Sequence, residues 1–457
     1  MALKFLSWNR LQTIAILIIG LIWLNAFYSI GRWRTERVIK DDVVSYYSYL
    51  PAALIYKDLK FNFIENLEPK IKNRIWVHTT PDGKKVLKMT MGLAILFLPF
   101  FLVGHAIALA YGIGTGYSLP YELLLSFGAC VYGILGLIFL RKSLTLFFNE
   151  KSTLISLICI ALGTNLLYYT SYEGGMSHVY SFFLFSSFVY YSIIWNKEPG
   201  FKNSSILGLL LGLITLIRPS NLIICLIPIL YGIKSIGDLK DKIKWHFSQL
   251  NQFICMGICF VIVLLPQFLY WKYSVGSWYY YPYSNETFYF LNPHILDGIF
   301  SFRKGWLVYS PIMVFSIIGL WTCKRYCPDL LIPLLVYIPI NIYVVFSWWC
   351  WWYGGSFGCR PLIESYALLS FPLAGFIQLL LDSRTKIASY MVFVLMAGMI
   401  WLNFFQTKQY SIALIHWDSM TQKAYWSIFC SMERPHNLEQ LLKKPDYEMA
   451  IFGENER

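Results

Sequence analysis

Residues 11–30 read LQTIAILIIGLIWLNAFYSI, a stretch that contains no charged side chain. A helix of about 20 apolar residues crosses the hydrocarbon core of a bilayer, so this stretch predicts a membrane-spanning segment. No small-residue cleavage site follows it, and we therefore interpret it as a retained helix rather than a signal peptide.

Similar apolar stretches recur along the 457-residue chain. They lie at residues 121–140, 153–169, 178–195, 252–271, 306–322, 330–346, 366–381 and 387–405. In a further stretch, residues 206–231, Arg218 and Pro219 predict two short helices that meet at a polar break. Only 14% of the residues are charged, against about 25% in soluble domains. This excludes a soluble enzyme, a nucleic-acid-binding module and a disordered scaffold, and it predicts an all-α polytopic membrane protein.

The net charge of +13 arises largely from basic residues in alternate loops. Lys and Arg concentrate in cytoplasmic loops of membrane proteins, which accounts for the charge without a nucleic-acid partner. The remaining loops, including residues 31–89 and 272–305, are then predicted to lie on the outer face. The basic residues that define the cytoplasmic loops are Arg141, Lys142, Lys151, Lys197, Lys202, Lys234, Lys240, Lys242, Lys244, Lys324, Arg325, Arg384 and Lys386.

Residues 92–111 conflict with this alternation, although they are apolar and long enough to cross. If they crossed, Arg141 and Lys142 would lie on the outer face. We therefore predict a re-entrant or interfacial helical hairpin for residues 92–111, with its break at Pro99 and Gly104.

An acidic pair, Asp41 and Asp42, follows the first apolar stretch and opens an amphipathic segment suited to the membrane interface. On a helix, Asp42 shares one face with Tyr46 and Tyr49. We predict that Asp42 faces a polar cavity while Asp41 caps the helix. The alternative is that both acids only complement the helix dipole.

A second outer acid, Glu173, lies in TSYEGGMSH at residues 170–178. An ionisable residue at the mouth of a helix bundle indicates a functional site. The alternatives are a solvated loop acid for Glu173 and a polar helix-start residue for His178.

Three basic residues could bind an anion at the outer side. Arg218, at the polar break, should reach membrane depth, where an Arg requires an anionic partner. Arg360 and Lys304 lie in other outer segments. The alternative to anion binding by Arg360 is an ion pair with Glu364, four residues later on a helix.

Aromatic residues crowd the two outer segments that contain Tyr281 and Trp352. They could form an interfacial belt, bind a lipid chain or provide stacking surfaces for a sugar. Cys350 and Cys359 share the second segment and could form a disulfide, whereas no zinc-binding spacing is present.

Together these motifs resemble those of the GT-C membrane glycosyltransferases, which take sugars from polyprenyl-phosphate donors. Protein O-mannosyltransferases and the aminoarabinose transferases that modify lipid A look most similar. The first motif has Asp-Asp where many members have Asp-Glu. The matching segments are DDVVSYYSYLPA (41–52), SYEGGMSHVYSF (171–182), LIRPSN (216–221), FRKGWLVYSP (302–311) and WWYGGSFGCRPL (351–362).

The resemblance implies a GT-C-like bundle of about 11–12 transmembrane helices with interfacial helices in the first outer loop. It covers residues 1–406, the predicted catalytic domain, and leaves residues 407–457 as a C-terminal tail on the outer face. Members that transfer single sugars generally work without metal, so no cofactor is predicted. The implied catalytic residues are Asp42, Asp41 and Glu173; the donor-phosphate ligands are Arg218, Lys304 and Arg360; and the substrate contacts are Tyr46, His178, Tyr281 and Trp352.

We therefore expect an inverting glycosyltransferase that moves a sugar from a polyprenyl-phosphate donor to a hydroxyl of a lipid, glycan or protein acceptor. Its site would face the outer side of a plasma membrane, which in a bacterium is the periplasmic side of the inner membrane. The alternative is a transporter or flippase of a lipid-linked or anionic substrate, because broken helices with an Arg at depth also suit transport. A transporter should show paired halves, and the sequence contains no internal repeat.

Overall fold

The computed structural model describes residues 10–454. Residues 1–9 of the predicted catalytic domain and residues 455–457 of the predicted C-terminal tail lie outside the described part. Helices dominate it. The long helices are α1 (Arg10–Ile30), α2 (Gly92–Ala110), α3 (Leu119–Leu144), α4 (Glu150–Gly163), α5 (Ser177–Lys197), α6 (Phe201–Ile217), α7 (Ile236–Ser248), α8 (Leu250–Val275), α9 (Pro328–Phe346), α10 (Tyr366–Asp382) and α11 (Lys386–Ser411).

Short helices and turns of 3₁₀ helix connect the long helices. The α-helical ones are Asp42–Tyr47, Tyr49–Leu54, Pro69–Lys72, Leu166–Ser171, Leu226–Leu230, Ile295–Phe300, Trp306–Tyr309, Val314–Gly319, Cys323–Tyr326, Gln422–Ser427, Leu438–Leu441 and Tyr447–Ile451. The 3₁₀ turns are Arg32–Thr35, Asn62–Asn66, Pro219–Cys225, Pro311–Met313, Leu320–Thr322 and Arg360–Leu362. Two short antiparallel strands, β1 (His78–Thr79) and β2 (Lys85–Val86), pair His78 with Val86.

Six helices of the described chain are long and apolar enough to cross a membrane, namely α1, α2, α3, α8, α9 and α11. Shorter apolar helices lie at Phe201–Ile217, Pro219–Leu230 and Tyr366–Asp382. The predicted all-α polytopic membrane protein is therefore confirmed, while the count of about 11–12 crossings stays a prediction.

The loops predicted to be cytoplasmic meet at one end of the bundle, which we call the basic end. The Arg141 guanidinium near the end of α3 donates to Thr13 Oγ1 at the start of α1, over 3.2 Å. Because α1 and α3 have opposite directions, the start of α3 lies beside the end of α1. Further contacts that join loops at the basic end are Asn149–Gln378, Lys234–Asp329 and Lys242–Asn196.

The break predicted at Pro99 and Gly104 is wrong, because α2 continues through Pro99 as one helix. Gly104 lies where a Cβ atom would be 3.2 Å from the carbonyl oxygen of Pro120, so close packing of α2 on α3 supports the helix despite the proline. The hydroxyls of Tyr49 and Tyr56 donate to the carbonyl oxygens of Met89 and of Thr115. Both flanks of α2 therefore contact the loop that follows α1.

The predicted break at Arg218 is present. Helix α6 ends at Ile217, and the chain continues through Pro219–Cys225 and Leu226–Leu230. Two stretches predicted as single segments are also interrupted, one at Thr164 and the other around Ser310–Pro311. At the second interruption, Pro311 cannot donate a backbone hydrogen bond. These interruptions place polar residues inside the bundle.

We predict that the basic end and the end that carries Arg32 lie on opposite sides of the membrane. In a protein whose exposed Cys430 is replaced by Ser, Arg37→Cys and Lys244→Cys each introduce a thiol at an exposed position. A membrane-impermeant maleimide should label the two thiols from opposite sides of oriented vesicles. Labelling of both from the same side would contradict the helix arrangement.

Candidate active site

A cavity of about 330 Å³ lies at the end of the bundle opposite the basic end, which we call the site end. Its walls come from the segment after α1, the turn before α5, the loop before α10 and the C-terminal segment. The predicted residues Asp41, Asp42, Glu173 and Arg360 meet in this cavity. The lining residues are Arg32, Arg37, Val38, Lys40, Asp41, Asp42, Val43, Tyr172, Glu173, Gly175, Met176, Gly354, Gly355, Arg360 and Trp417.

Glu122, on α3, fixes the backbone that leads into the acidic pair. Its side chain has no exposed surface, and its Oε2 atom accepts the backbone N–H groups of Val38 and Ile39 over 2.8 and 3.1 Å. The guanidinium of Arg74 pairs with the other carboxylate oxygen and also donates to the Ile39 carbonyl. A buried carboxylate requires such donors, and these bonds position the residues just before Asp42.

Asp42 and Asp41 have different surroundings. Asp42 begins the helix Asp42–Tyr47, and its Oδ2 atom accepts from Arg360 Nη2 over 3.3 Å, with 34% of the side chain exposed. Asp41 occupies the N-cap position but makes no capping bond. Its backbone has φ +48°, and its carboxylate pairs with Lys40 over 3.0 Å. The predicted capping role of Asp41 is therefore wrong, while Asp42 lies in the cavity as predicted.

Glu173 pairs with Arg32, a residue that the sequence analysis did not identify. Arg32 Nη1 donates to Glu173 Oε1 over 2.9 Å, whereas Glu173 Oε2 is buried and accepts no hydrogen bond from the described residues. Arg32 lies in RWRTERVIK at residues 32–40, a basic run between α1 and the acidic pair. This run could have indicated Arg32, because the enrichment of basic residues in cytoplasmic loops does not explain basic residues in a loop predicted to lie on the outer face.

A second polar cluster forms where α5 begins, α6 ends and α10 begins. Glu364 accepts from Arg218 Nη1 over 3.1 Å and lies 3.3 Å from His178 Nδ1, and Asn221 approaches it as well. His178 and Glu364 are almost fully buried, while 24% of the Arg218 side chain is exposed. The alternative pairing of Arg360 with Glu364 is therefore excluded, because Glu364 pairs with Arg218.

Lys304 is buried and does not line the cavity. Its ammonium group donates to the carbonyl oxygen of Ser356. Burial lowers the pKa of Lys304 from its ordinary value of 10.5 to about 7, although Asp418 opposes this shift. At neutral pH Lys304 is therefore only partly charged, which makes it a weaker phosphate ligand than an arginine.

The predicted substrate contacts lie outside the cavity wall. Tyr46 and His178 are buried behind it. Tyr281 is exposed elsewhere and donates its hydroxyl to the carbonyl oxygen of Glu286 over 2.6 Å, and Trp352 packs on Tyr447. The aromatic residues of the cavity wall are instead Tyr172 and Trp417. Two further residues of the aromatic segment, Cys350 and Cys359, are free thiols, so the disulfide is not formed.

No group of three or more His, Cys, Asp or Glu side chains is placed to hold a metal ion among residues 10–454.

Comparison with known proteins identifies the fold. No family model and no curated protein matches the sequence. The crystal structure of the oligosaccharyltransferase of Archaeoglobus fulgidus in the apo form has a TM-score of 0.51 and 12% sequence identity. The match covers 96% of this chain and 61% of that protein, so this chain spans about three fifths of its length.

Two further structures from A. fulgidus match less closely. The oligosaccharyltransferase AglB in complex with an inhibitory peptide and a dolichol-phosphate has a TM-score of 0.45, at 12% identity and 96% and 61% coverage. The complex of the oligosaccharyltransferase with Zn and sulfate has a TM-score of 0.46, at 14% identity and 94% and 59% coverage. The apo structure shows that this chain shares the fold of that oligosaccharyltransferase.

We predict that the buried Lys304 makes stability rise with pH. Because the pKa of Lys304 is about 7 in the folded protein and 10.5 ordinarily, the unfolded chain binds more protons between these values. The free energy of unfolding should therefore increase from pH 7 upward and stay level below it. Thermal unfolding in detergent should show this slope in the wild type and in Lys423→Met, an exposed control, but not in Lys304→Met. The same slope in all three proteins would contradict the assignment.

Proposed function

We propose that this chain is an inverting glycosyltransferase that moves a sugar from a polyprenyl-phosphate donor to an acceptor hydroxyl on the outer face of the membrane. One observation carries the proposal: two carboxylates, Asp42 and Glu173, share one cavity of a GT-C bundle, and each pairs with an arginine. A cavity with such convergent polar groups is the default site for small-molecule chemistry.

Asp42 is the proposed general base. Its carboxylate is partly exposed and accepts a charge-assisted hydrogen bond from the Arg360 guanidinium over 3.3 Å, which fixes its orientation. As the acceptor oxygen bonds to the anomeric carbon, its proton moves to Asp42. The bond between that carbon and the phosphate oxygen breaks, and polyprenyl phosphate leaves with the electron pair. Attack from the face opposite the leaving group inverts the configuration.

We assign different roles to the predicted phosphate ligands. In an in-line displacement the base and the leaving phosphate lie on opposite sides of the reacting carbon. Arg360 is in direct contact with Asp42, so we assign it to the base as a positioning residue. Arg218, partly exposed at the broken end of α6, is the proposed ligand of the donor phosphate. Cationic groups on the leaving phosphate stabilise the charge that develops there.

Glu173 has the proposed task of orienting a substrate hydroxyl. Arg32 holds one of its oxygens, and the other, Oε2, accepts no bond from the described residues. A buried acceptor without a partner is costly, and a sugar hydroxyl would satisfy it.

The proposed partners are a polyprenyl-phosphate sugar that enters sideways from the bilayer and a lipid, glycan or protein acceptor that enters from the aqueous side. The proposed location is the plasma membrane, in bacteria the inner membrane, with the cavity on the periplasmic face. The cavity lies at the site end, opposite the basic end, which is consistent with this orientation.

The first test removes the proposed base. Asp42→Asn keeps the side-chain shape and removes basicity, so turnover should fall about 10²–10⁴-fold with donor affinity nearly unchanged. Asp41→Asn is the matched control, because the Asp41 side chain is 79% exposed and pairs with Lys40, and turnover of this variant should change little. The measurement is the conversion of radiolabelled farnesyl-phosphate sugars to farnesyl phosphate. It is made in membranes of the cells that express the protein, which supply the acceptor.

A large loss in Asp41→Asn alone would reverse the assignment of the base. Normal turnover in both variants and in the double variant would overturn the mechanism. Movement of the intact probe across proteoliposomes without cleavage, at the same rate in Asp42→Asn, would favour the transporter alternative instead.

The second test concerns the donor phosphate. Loss of a charge-assisted contact costs about 1.5–3 kcal/mol, so removal of Arg218 should weaken binding of farnesyl phosphate by roughly 10- to 150-fold. Arg218→Ala alone would remove the arginine partner of the buried Glu364, which destabilises the fold. The test therefore uses Arg218→Gln with Glu364→Gln, and the control is Glu364→Gln alone, which retains Arg218. Equal Kd values for the double variant and the control would exclude Arg218 as the phosphate ligand.

A further inference from the structure

The C-terminal segment contributes an aromatic ring to the cavity. Trp417 follows α11, lies in the region predicted to be a separate tail, and lines the cavity with 52% of its surface exposed. The ring lies at the site end beside the acidic and basic residues of the cavity.

The backbone around Trp417 is firmly anchored. The Trp417 carbonyl oxygen accepts the backbone N–H of Ser356 over 3.3 Å. The next residue, Asp418, is buried and accepts from the hydroxyls of Ser419 and Tyr447 over 2.6 and 3.0 Å. Leu414 and Ile415, just before it, are buried in the core. The indole is therefore presented by a fixed frame, which lowers the entropic cost of binding against it.

Gly355 lies directly beside the indole of Trp417. At Gly355, which also lines the cavity, an added Cβ atom would lie only 3.3 Å from Trp417 Cε3. Carboxylates of Asp42 and Glu173 line the same cavity, together with Tyr172. An aromatic face near hydrogen-bonding carboxylates fits a sugar ring, whose C–H face is apolar and whose edge carries hydroxyls.

We infer that Trp417 is a sugar-binding platform of this cavity, on which a ring of the donor or of the acceptor stacks while its hydroxyls reach the cavity carboxylates. The inference rests on the proposed function and adds a binding residue from the C-terminal segment. It also replaces the predicted stacking residues Tyr281 and Trp352, which do not line the cavity.

Fluorine NMR tests binding without any need for turnover. In protein labelled with 5-fluorotryptophan, the resonance that is missing in Trp417→Phe belongs to Trp417. Trp426 is the matched control, because it is 54% exposed in the same C-terminal segment and does not line the cavity. Methyl glycosides of hexoses and pentoses should shift the Trp417 resonance and leave the Trp426 resonance unchanged. No shift with any glycoside, or equal shifts of both, would overturn the inference.

Kinetics distinguish the source of the sugar. Trp417→Ala should raise one Michaelis constant about 3- to 10-fold, with kcat nearly unchanged and with recovery in Trp417→Phe. A change in KM for the farnesyl-phosphate sugar assigns the platform to the donor, and a change for the acceptor assigns it to the acceptor. If the wild type converts the probe and no KM changes in Trp417→Ala, this inference fails while the proposed function stands. If the wild type converts no probe yet the Trp417 resonance shifts, the proposed function fails and the binding site remains.

Discussion

Glu122 has no exposed surface, and the structure around it follows from the need to satisfy its carboxylate. Two backbone N–H groups and the Arg74 guanidinium supply the hydrogen bonds. Leaving a charge unpaired in a low-dielectric interior costs several kcal/mol. The loop after α1 is therefore held against the start of α3, and the acidic pair emerges from a backbone of fixed direction.

Ion pairs also hold the other acidic residues of the site end. Asp42 pairs with Arg360, Glu173 with Arg32, and Glu364 with Arg218. Each pair joins segments that are far apart in the chain, and together they tie the first loop, the turn before α5, the break after α6 and the loop before α10 to one another.

Much of the fold was predictable because the bilayer restricts the options. A long apolar run without charge forms a helix when it crosses a bilayer. The break at Arg218–Pro219 was predictable because a proline interrupts a helix locally. The break at Pro99 and Gly104 was wrong because a proline in a helix is tolerated where a neighbouring helix packs closely, and residues 92–111 themselves do not reveal that neighbour, α3. The likeness to solved structures confirmed the fold class that the motifs indicated.

The sequence by itself determined the membrane class, the positions of most helices, the basic end and the segments that carry the cavity acids, because hydropathy and charge act locally along the chain. Only the tertiary structure decided which charges pair. Arg360 stands four residues before Glu364, but the chain forms a 3₁₀ turn there and α10 begins at Tyr366, so the two do not share a face of one α-helix. Arg360 instead meets Asp42, 318 residues away, and Trp417 reaches the cavity from beyond α11. Such partners are selected by the packing of helices in three dimensions, which no spacing in the sequence encodes.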